Sequence, residues 1–136
     1  MEGYLLRLVM AGIVGFIVGI ISTREDNTSS VQVFVIICMS AALITITSIG
    51  VFRVLYLQSP GDPSRIPAQL ISALGFIGTG MMWLTHEKGV LGINSAASLW
   101  ITAIMGMLIG AGLHHISVLG MFFFALIYWL SNFIRS

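Results

Sequence analysis

One stretch decides the fold of this chain: Pro67-Ala-Gln-Leu-Ile-Ser-Ala-Leu-Gly-Phe-Ile-Gly-Thr-Gly80. It is apolar overall, yet it contains three glycines and three polar side chains, at Gln69, Ser72, Gly75, Gly78, Thr79 and Gly80. In a helix that faces water, each such glycine costs about 1 kcal/mol relative to alanine. In a membrane the backbone satisfies its own hydrogen bonds, and small residues allow neighbouring helices to approach closely. The stretch is therefore typical of a transmembrane helix that packs closely on another helix.

The composition of the whole chain also indicates a membrane protein. Of its 136 residues, 57% are hydrophobic and 8% are charged. Soluble domains are about 25% charged, so this little charge could not cover a soluble surface of the same size. The net charge is +1 and the sequence has no basic stripe, so we expect no nucleic-acid partner. The partner that the composition implies is the lipid bilayer.

The apolar runs predict an all-α membrane protein, a single transmembrane domain over residues 1–136 built as a bundle of about five helices. A helix needs about 20 apolar residues to cross about 30 Å of hydrocarbon. The predicted spans cover residues 4–22, 31–51, 66–84, 94–113 and 116–133. We interpret the first as a retained span, because the sequence Ser22-Thr-Arg-Glu-Asp26 that follows has no signal-peptidase cleavage pattern. Lys and Arg divide three against three between the two sides, so their count does not orient the chain.

Small residues form one face on each of the third and fourth spans. The face of the third span comprises Ala68, Ser72, Gly75 and Thr79, with Gln69 and Gly80 beside it. That of the fourth comprises Ser95, Ser98, Thr102, Gly106 and Gly110. We expect the two faces to meet in an antiparallel seam with close backbones. The seam is open to two interpretations: a packing surface between helices, or the wall of an ion or solute path.

The ends of these spans carry further candidate residues. Asp62 and Arg65 lie three residues apart before the third span, either as a solvated interfacial pair or as a gate or docking point. Ser64 or Asp62 is expected to cap that helix, and Asn94 or Ser95 to cap the next. The fifth span is aromatic and has no small face, so we expect it to face lipid more than the others do.

The sequence offers little for catalysis or for a resident cofactor. It contains no phosphate-binding loop with its lysine, no zinc-ligand spacing and no nucleophile elbow, so we expect no enzyme. His114 and His115 are adjacent, and adjacent residues of a helix point in different directions. We therefore interpret them as histidines at the membrane interface rather than as metal ligands. All carboxylates lie at helix ends or in loops, whereas a cation path normally has ionisable groups at membrane depth. Binding of Mg²⁺ remains an open alternative, because this ion retains water molecules. Those waters can form hydrogen bonds with Gln69, Asn94, Ser98 and Thr102.

Three segments resemble motifs of the MgtC/SapB family of bacterial membrane proteins, in the family's order and spacing. They are Asp62-Pro-Ser-Arg-Ile-Pro-Ala-Gln69, Ser72-Ala-Leu-Gly-Phe-Ile-Gly-Thr-Gly80 and Gly92-Ile-Asn-Ser-Ala-Ala-Ser-Leu-Trp100. The resemblance implies a five-span protein of the bacterial inner membrane, with its N-terminus outside and a link to magnesium homeostasis. It further implies action through partner membrane proteins, such as the proton-translocating ATP synthase, and a homodimer.

The chain also departs from the family pattern. Its loop from Ser22 to Val31 lacks the basic and histidine positions that the family has there, and Asn94-Ser95 replaces a Thr-Thr pair. The sequence ends at Ser136 without the soluble C-terminal domain of longer members. We therefore do not expect a regulatory function that depends on that domain.

These observations define a candidate functional seam between the third and fourth spans. Its members are Asp62, Arg65, Gln69, Ser72, Gly75, Gly78, Thr79, Gly80, Asn94, Ser95, Ser98, Trp100, Thr102 and Gly106. The first hypothesis is an interaction or regulatory protein, for which neighbouring helices fill the seam. The alternative is a transporter or channel for Mg²⁺ or another small solute, which needs a water-accessible cavity beside these residues. In either case we expect Gly75→Leu or Gly106→Leu to separate the helices.

Overall fold

The computed structural model describes residues 2–25, 30–55, 62–85 and 89–135. Its helices are α1 (Glu2–Glu25), α2 (Val31–Leu55), α3 (Arg65–Met81), α4 (Ile93–Ala111) and α5 (His114–Arg135). Between α3 and α4, the strands β1 (Trp83–Thr85) and β2 (Gly89–Leu91) pair as a short antiparallel hairpin, with Trp83 opposite Leu91. The predicted class, an all-α membrane protein with about five helices, is confirmed, and the hairpin is an addition to it.

Four helices of the described chain are long and apolar enough to cross a membrane: Gly3–Arg24, Val31–Val54, Ile93–Ala111 and His114–Ser131. The third predicted span is shorter than expected. The sequence predicts its end at residue 84, but α3 has 17 residues and ends at Met81, and β1 begins at Trp83. At about 1.5 Å per residue, α3 is about 25 Å long, which is less than the hydrocarbon thickness of about 30 Å.

The chain turns back on the end of α3 at Gly92. This residue has a φ of 85°, a conformation that glycine adopts without steric cost. A Cβ added at Gly92 would collide with the carbonyl oxygen of Met81. Gly92 is also the residue that precedes α4, so the prediction that Asn94 or Ser95 caps this helix is wrong. Both residues lie instead in its first turn.

Helices α1 and α2 pack antiparallel through the glycines of α1. A Cβ added at Gly15 would lie 2.8 Å from the carbonyl oxygen of Phe34, and one at Gly19 would lie 3.1 Å from the Cα of Val31. The contact therefore joins backbone to backbone, as small residues allow in membrane helix pairs. It positions α2 at the centre of the bundle.

Helix α4 packs on both α1 and α2 and runs parallel to α2. A Cβ added at Gly106 would collide with the carbonyl oxygen of Cys38, and one at Gly110 would lie 2.5 Å from that of Ala42. Gly110 follows Gly106 by four residues on α4, and Ala42 follows Cys38 by four residues on α2. Four residues are about one helical turn, so the two helices stay in contact over successive turns. Helices α1, α2 and α4 thus form the core of the bundle.

Helices α3 and α5 lie at the periphery. The buried side of α3 consists of Leu74 and Gly78, and a Cβ at Gly78 would lie 3.8 Å from the Cβ of Ala96 on α4. Among the described side chains of α5, only Ser117 and Phe124 are buried. The expectation that the fifth span faces outward more than the others is confirmed.

Candidate functional site

The two small faces of α3 and α4 do not face each other, so that prediction is wrong. On α4 the small face is buried, and we call it the inner seam: Ser95, Ser98, Thr102, Gly106 and Gly110. On α3 the small face is turned away from the bundle, and we call it the outer face: Ala68, Gln69, Ser72, Gly75, Thr79 and Gly80. The glycines of α4 admit the backbone of α2, whereas α3 contacts α4 through Leu74 and Gly78 on a different side. The predicted seam is therefore divided between two surfaces.

The polar groups of the inner seam are mostly bonded within the bundle. The Thr102 hydroxyl donates to the carbonyl oxygen of Ser98 at 2.6 Å, and the Ser98 hydroxyl shares a hydrogen bond of 2.7 Å with the Tyr128 hydroxyl. The Ser95 hydroxyl is buried and forms no hydrogen bond with any described residue. Together with the backbone contacts of Gly106, these bonds make the inner seam a tightly packed structural surface.

The outer face of α3 is smooth and open. Ser72 and Thr79 are exposed, and the Thr79 hydroxyl donates to carbonyl oxygens of its own helix, at 3.0 Å to Gly75 and 2.8 Å to Phe76. A Cβ added at Gly75 or Gly80 meets no atom of the described structure within 4 Å. This face can therefore accept the close approach of another helix without a change in α3.

Hydrogen bonds fix residues 62–64, which directly precede α3. The Ser48 hydroxyl of α2 donates to the carbonyl oxygen of Pro63. The Asp62 carboxylate accepts hydrogen bonds from the Ser64 hydroxyl at 2.7 Å and from the Ser64 backbone N–H at 2.8 Å. Ser64 precedes the helix as predicted, but its side chain does not cap it. The Asp62 carboxylate is thus held within its own turn.

The electrostatics of Asp62 reflect the same contacts. The Ser64 hydroxyl, and after it the Ser64 backbone N–H, lower the pKa of the Asp62 carboxyl, and the charge of Arg65 contributes least. Of the two sequence-based interpretations of Asp62 and Arg65, the exposed position of both residues fits the solvated one. Arg65 remains accessible at the entrance to the outer face.

We expect Ser64→Ala to raise the pKa of Asp62 toward its ordinary value. A hydrogen bond donated to the ionised carboxylate favours the charged form, and this substitution removes the largest lowering contribution. Any stability that this turn contributes is present above the ordinary aspartate pKa and is lost as the pH falls through the lowered value. Carboxyl-carbon NMR titration in micelles measures the shift. Arg65→Gln is the control, and a larger shift in that variant would contradict this assignment.

Two other predicted members, Asn94 and Trp100, lie outside the contact between α2 and α4. Asn94 lines a mainly apolar groove of about 460 Å³ between α4 and α5, together with Ser98 and Tyr128. Trp100 is 36% exposed, and its Nε1 lies 3.7 Å from a Cβ added at Gly78. Trp100 thus belongs to the contact between α3 and α4.

The sequence reasoning missed two residues that join the helices. Tyr128 of α5 pairs with Ser98, and Arg7 of α1 donates through Nη1 to the carbonyl oxygen of Gly110 at 2.8 Å. A tyrosine within an aromatic span can indicate a contact between helices, because a partly buried hydroxyl usually has a hydrogen-bond partner. The position of Arg7 in the sequence predicts only a long side chain that can reach the near interface, which does not indicate its contact with Gly110.

We expect Tyr128→Phe to destabilise the bundle by about 1 kcal/mol, because it removes one interhelical hydrogen bond. Ser98→Ala should have a similar effect, and the double variant should add little to either. Reversible unfolding in mixed micelles measures the three free energies of unfolding. Strictly additive effects would contradict a direct bond between the two hydroxyls.

Within the described parts of the chain, no group of three His, Cys, Asp or Glu side chains is arranged to hold a metal ion. Apart from the charged Asp62 and Arg65, the polar groups of the candidate site are hydroxyls, two side-chain amides, an indole N–H and backbone carbonyls. These groups form hydrogen bonds and are suited to contacts with other helices or with the waters of a hydrated ion.

The fold and the site define a class: a multi-pass α-helical membrane protein whose core is built on close contacts of small residues. Within that class the chain belongs to the MgtC family, whose sequence profile matches residues 8–136. Its relatives are bacterial proteins, and together with the apolar helices they identify a bacterial membrane protein.

Three relatives illustrate the similarity. The putative magnesium transporter YhiD of Escherichia coli strain K12 is 35% identical over 119 residues, which cover 86% of this chain and 55% of that protein. Protein SapB of Bacillus subtilis is 30% identical over 112 residues, 81% of this chain and 48% of that protein. Protein MgtC of Salmonella typhimurium strain LT2 is 30% identical over 109 residues, 80% of this chain and 44% of that protein. The chain thus spans about half the length of the curated relatives that it matches. No solved structure shows a significant match.

Proposed function

We propose that this protein binds another membrane protein through the outer face of α3, and in this way serves magnesium homeostasis in the bacterial inner membrane. In this proposal its N-terminus lies outside, and it has neither a catalytic role nor a resident cofactor. One observation carries the proposal. The outer face has the small and mildly polar composition of a helix contact surface, yet no described helix of the chain covers Ser72, Gly75 or Thr79.

The physical argument concerns how helices associate in lipid. Lipid tails are as apolar as the side chains of a helix, so association depends on close packing and on interhelical hydrogen bonds. Gly75 and Gly80 allow a second backbone to approach, and Ser72 can donate a hydrogen bond to it. In the core of the same bundle, Gly106 already forms such a contact with α2.

The length of α3 also favours a partner. A helix of 17 residues is about 25 Å long, and association with other helices is one of the ways in which a segment shorter than the membrane is accommodated, beside thinning of the bilayer. A second copy of this chain could occupy the outer face in the same manner. The proposal assigns the face to a different membrane protein, and a homodimer is one of the outcomes that experiment can return.

The link to magnesium rests on relatives. One of them is named a putative magnesium transporter, and others are named MgtC. The alternative function is therefore transport of Mg²⁺ or another small ion or solute, and the name of the YhiD relative favours it. A transport path along the predicted seam would require the outer face and the inner seam to line one cavity. Thr102 of the inner seam is buried, however, and Ser72 of the outer face is exposed on another surface.

Mg²⁺ flux into liposomes of purified protein distinguishes the two functions. The proposal predicts the same flux as in empty liposomes for the wild type and for Gly75→Leu. A saturable flux in the wild type that Gly75→Leu abolishes would overturn the interaction proposal and establish transport. Circular dichroism and gel filtration of both proteins verify that the bundle is folded in each preparation.

A further inference from the structure

A polar cavity of about 300 Å³ lies where α1 begins and where α2 and α4 end. Its lining comprises Gly3, Tyr4, Arg7, Ile46, Ile49, Arg53, Gly110 and Ala111. Among the lining residues that the structure describes, two carry a guanidinium group and none carries a carboxylate. The cavity meets the inner seam only at Gly110 and has no lining residue on the outer face of α3, so the proposed function does not use it.

Contacts with two helices hold Arg7 in place. Its Nη1 donates to the carbonyl oxygen of Gly110 at 2.8 Å, and its guanidinium carbon lies 5.8 Å from the centre of the Tyr4 ring. Its Nη2 would be 3.0 Å from a Cβ added at Gly112, which has a φ of 87°. The carbonyl end of a helix carries a negative partial charge, and Arg7 offsets it at the end of α4. A guanidinium has five N–H donors, so donors remain for a ligand.

The other donors of the cavity come from α2 and α1. Arg53 lies in the last turn of α2 and is exposed. Gly3 and Tyr4 lie in the first turn of α1, where backbone N–H groups have no partner within the helix. A Cβ added at Gly3 meets no described atom within 4 Å, so the cavity is open on this side. The cavity therefore offers two cations and backbone donors, which suits an anion.

An apolar groove of about 580 Å³ adjoins this cavity and shares two of its lining residues, Tyr4 and Ile46. The groove is lined by Tyr4, Ile46, Thr47, Gly50, Val51 and Val54. A Cβ added at Gly50 meets no described atom within 4 Å. A polar cavity that leads directly into an apolar groove at the end of a membrane span matches a molecule with an anionic head and a hydrocarbon tail.

We infer that this pair of cavities binds one anionic phospholipid. Its phosphate lies between Arg7 and Arg53, because guanidinium groups form paired, charge-assisted hydrogen bonds with phosphate oxygens. One acyl chain follows the groove past Ile46 and Gly50. The bound lipid thereby joins the first turn of α1 to the last turn of α2.

Native mass spectrometry of the full chain in detergent tests the inference, with phosphatidylglycerol, phosphatidylcholine of the same acyl chains, and inorganic phosphate as probes. We expect phosphatidylglycerol to bind about tenfold more tightly than phosphatidylcholine. Arg53→Gln should abolish this preference and Arg53→Lys should restore part of it. Gly50→Leu should weaken the binding of both lipids, because its side chain fills the groove. Arg7 is left unchanged, because its bond to Gly110 also supports the fold.

Arg24→Gln is the matched control, since Arg24 is an exposed arginine at the other end of α1. It should leave the preference intact. An equal loss of the preference in Arg24→Gln and Arg53→Gln would overturn the inference, because general surface charge would then explain it. Displacement of the lipid by millimolar inorganic phosphate would also overturn it, in favour of a site for the free anion. Absence of any preference for phosphatidylglycerol in the wild type would have the same consequence.

Discussion

Gly106→Leu is expected to lower the free energy of unfolding by about 3 kcal/mol or more, since overpacking of a filled interface typically costs about 1–3 kcal/mol even without a backbone collision. A Cβ at this position already collides with the carbonyl oxygen of Cys38 and lies 3.0 Å from the Cβ of Ala41. Leucine adds three further carbons, so α2 and α4 must separate. Reversible unfolding in mixed micelles, and the yield of monodisperse protein, measure the effect.

Gly106→Ala provides a graded comparison at the same position. It introduces the Cβ alone and should be destabilising, but less than leucine. Near-normal stability of Gly106→Leu would contradict the direct contact between α2 and α4 and would require a different arrangement of the core. Gly110→Ala should resemble Gly106→Ala, because a Cβ there would lie 2.5 Å from the carbonyl oxygen of Ala42.

Gly75→Leu is expected to leave the bundle folded but to abolish function. Its new side chain meets no described atom within 4 Å of the Cβ position, and substitutions at such surface positions usually change stability by less than about 0.5 kcal/mol. On the proposed function, the same side chain prevents a partner helix from approaching the outer face. Complementation of a deletion strain at low Mg²⁺, with protein level measured in the membrane fraction, checks the two effects separately.

The matched control for this variant is a substitution of similar size on another exposed surface. Ala125→Leu serves, because Ala125 of α5 is also exposed and lines neither of the proposed binding surfaces. It should support growth as the wild type does. Loss of Gly75→Leu protein from the membrane would show that α3 packs on the rest of the chain through this face. Full growth of a strain that contains normal amounts of the Gly75→Leu protein would show that the function does not depend on the outer face.

The sequence was sufficient for the class of the fold and for the approximate positions of its helices. Scarce charge and long apolar runs are properties that few folds share, so they predicted the helices. The lack of a small face on the aromatic fifth span predicted the outward position of α5. The end of α3 could not be predicted from the sequence, because Met82, Trp83 and Leu84 are apolar and continue the apolar run of the third span. What ends the helix is Gly92, which returns the chain to Met81 from eleven residues further on.

The arrangement of the small faces could not be predicted from periodicity. A helical projection shows that residues share a face, but it does not show which neighbour that face contacts. Adjacent position in the chain suggested α3 as the partner of α4. The partner of Gly106 and Gly110 is instead α2, whose Ala41 and Ala42 lie in a long run of mostly apolar residues. The sequence predicted that Gly75→Leu and Gly106→Leu would both separate the helices. From the structure, we expect Gly106→Leu to destabilise the bundle and Gly75→Leu to leave it folded.

The central claim is that the outer face of α3 binds another membrane protein. A benzophenone amino acid at Ser72 tests it most directly, by photo-crosslinking in native membranes, with the same probe at the exposed Ile127 of α5 as control. The account predicts one discrete protein adduct from Ser72, identified by mass spectrometry as a membrane protein other than this chain. The adduct should disappear in the Gly75→Leu background and should not form from Ile127. Only lipid adducts from Ser72, or a protein adduct that persists in Gly75→Leu, would contradict the account.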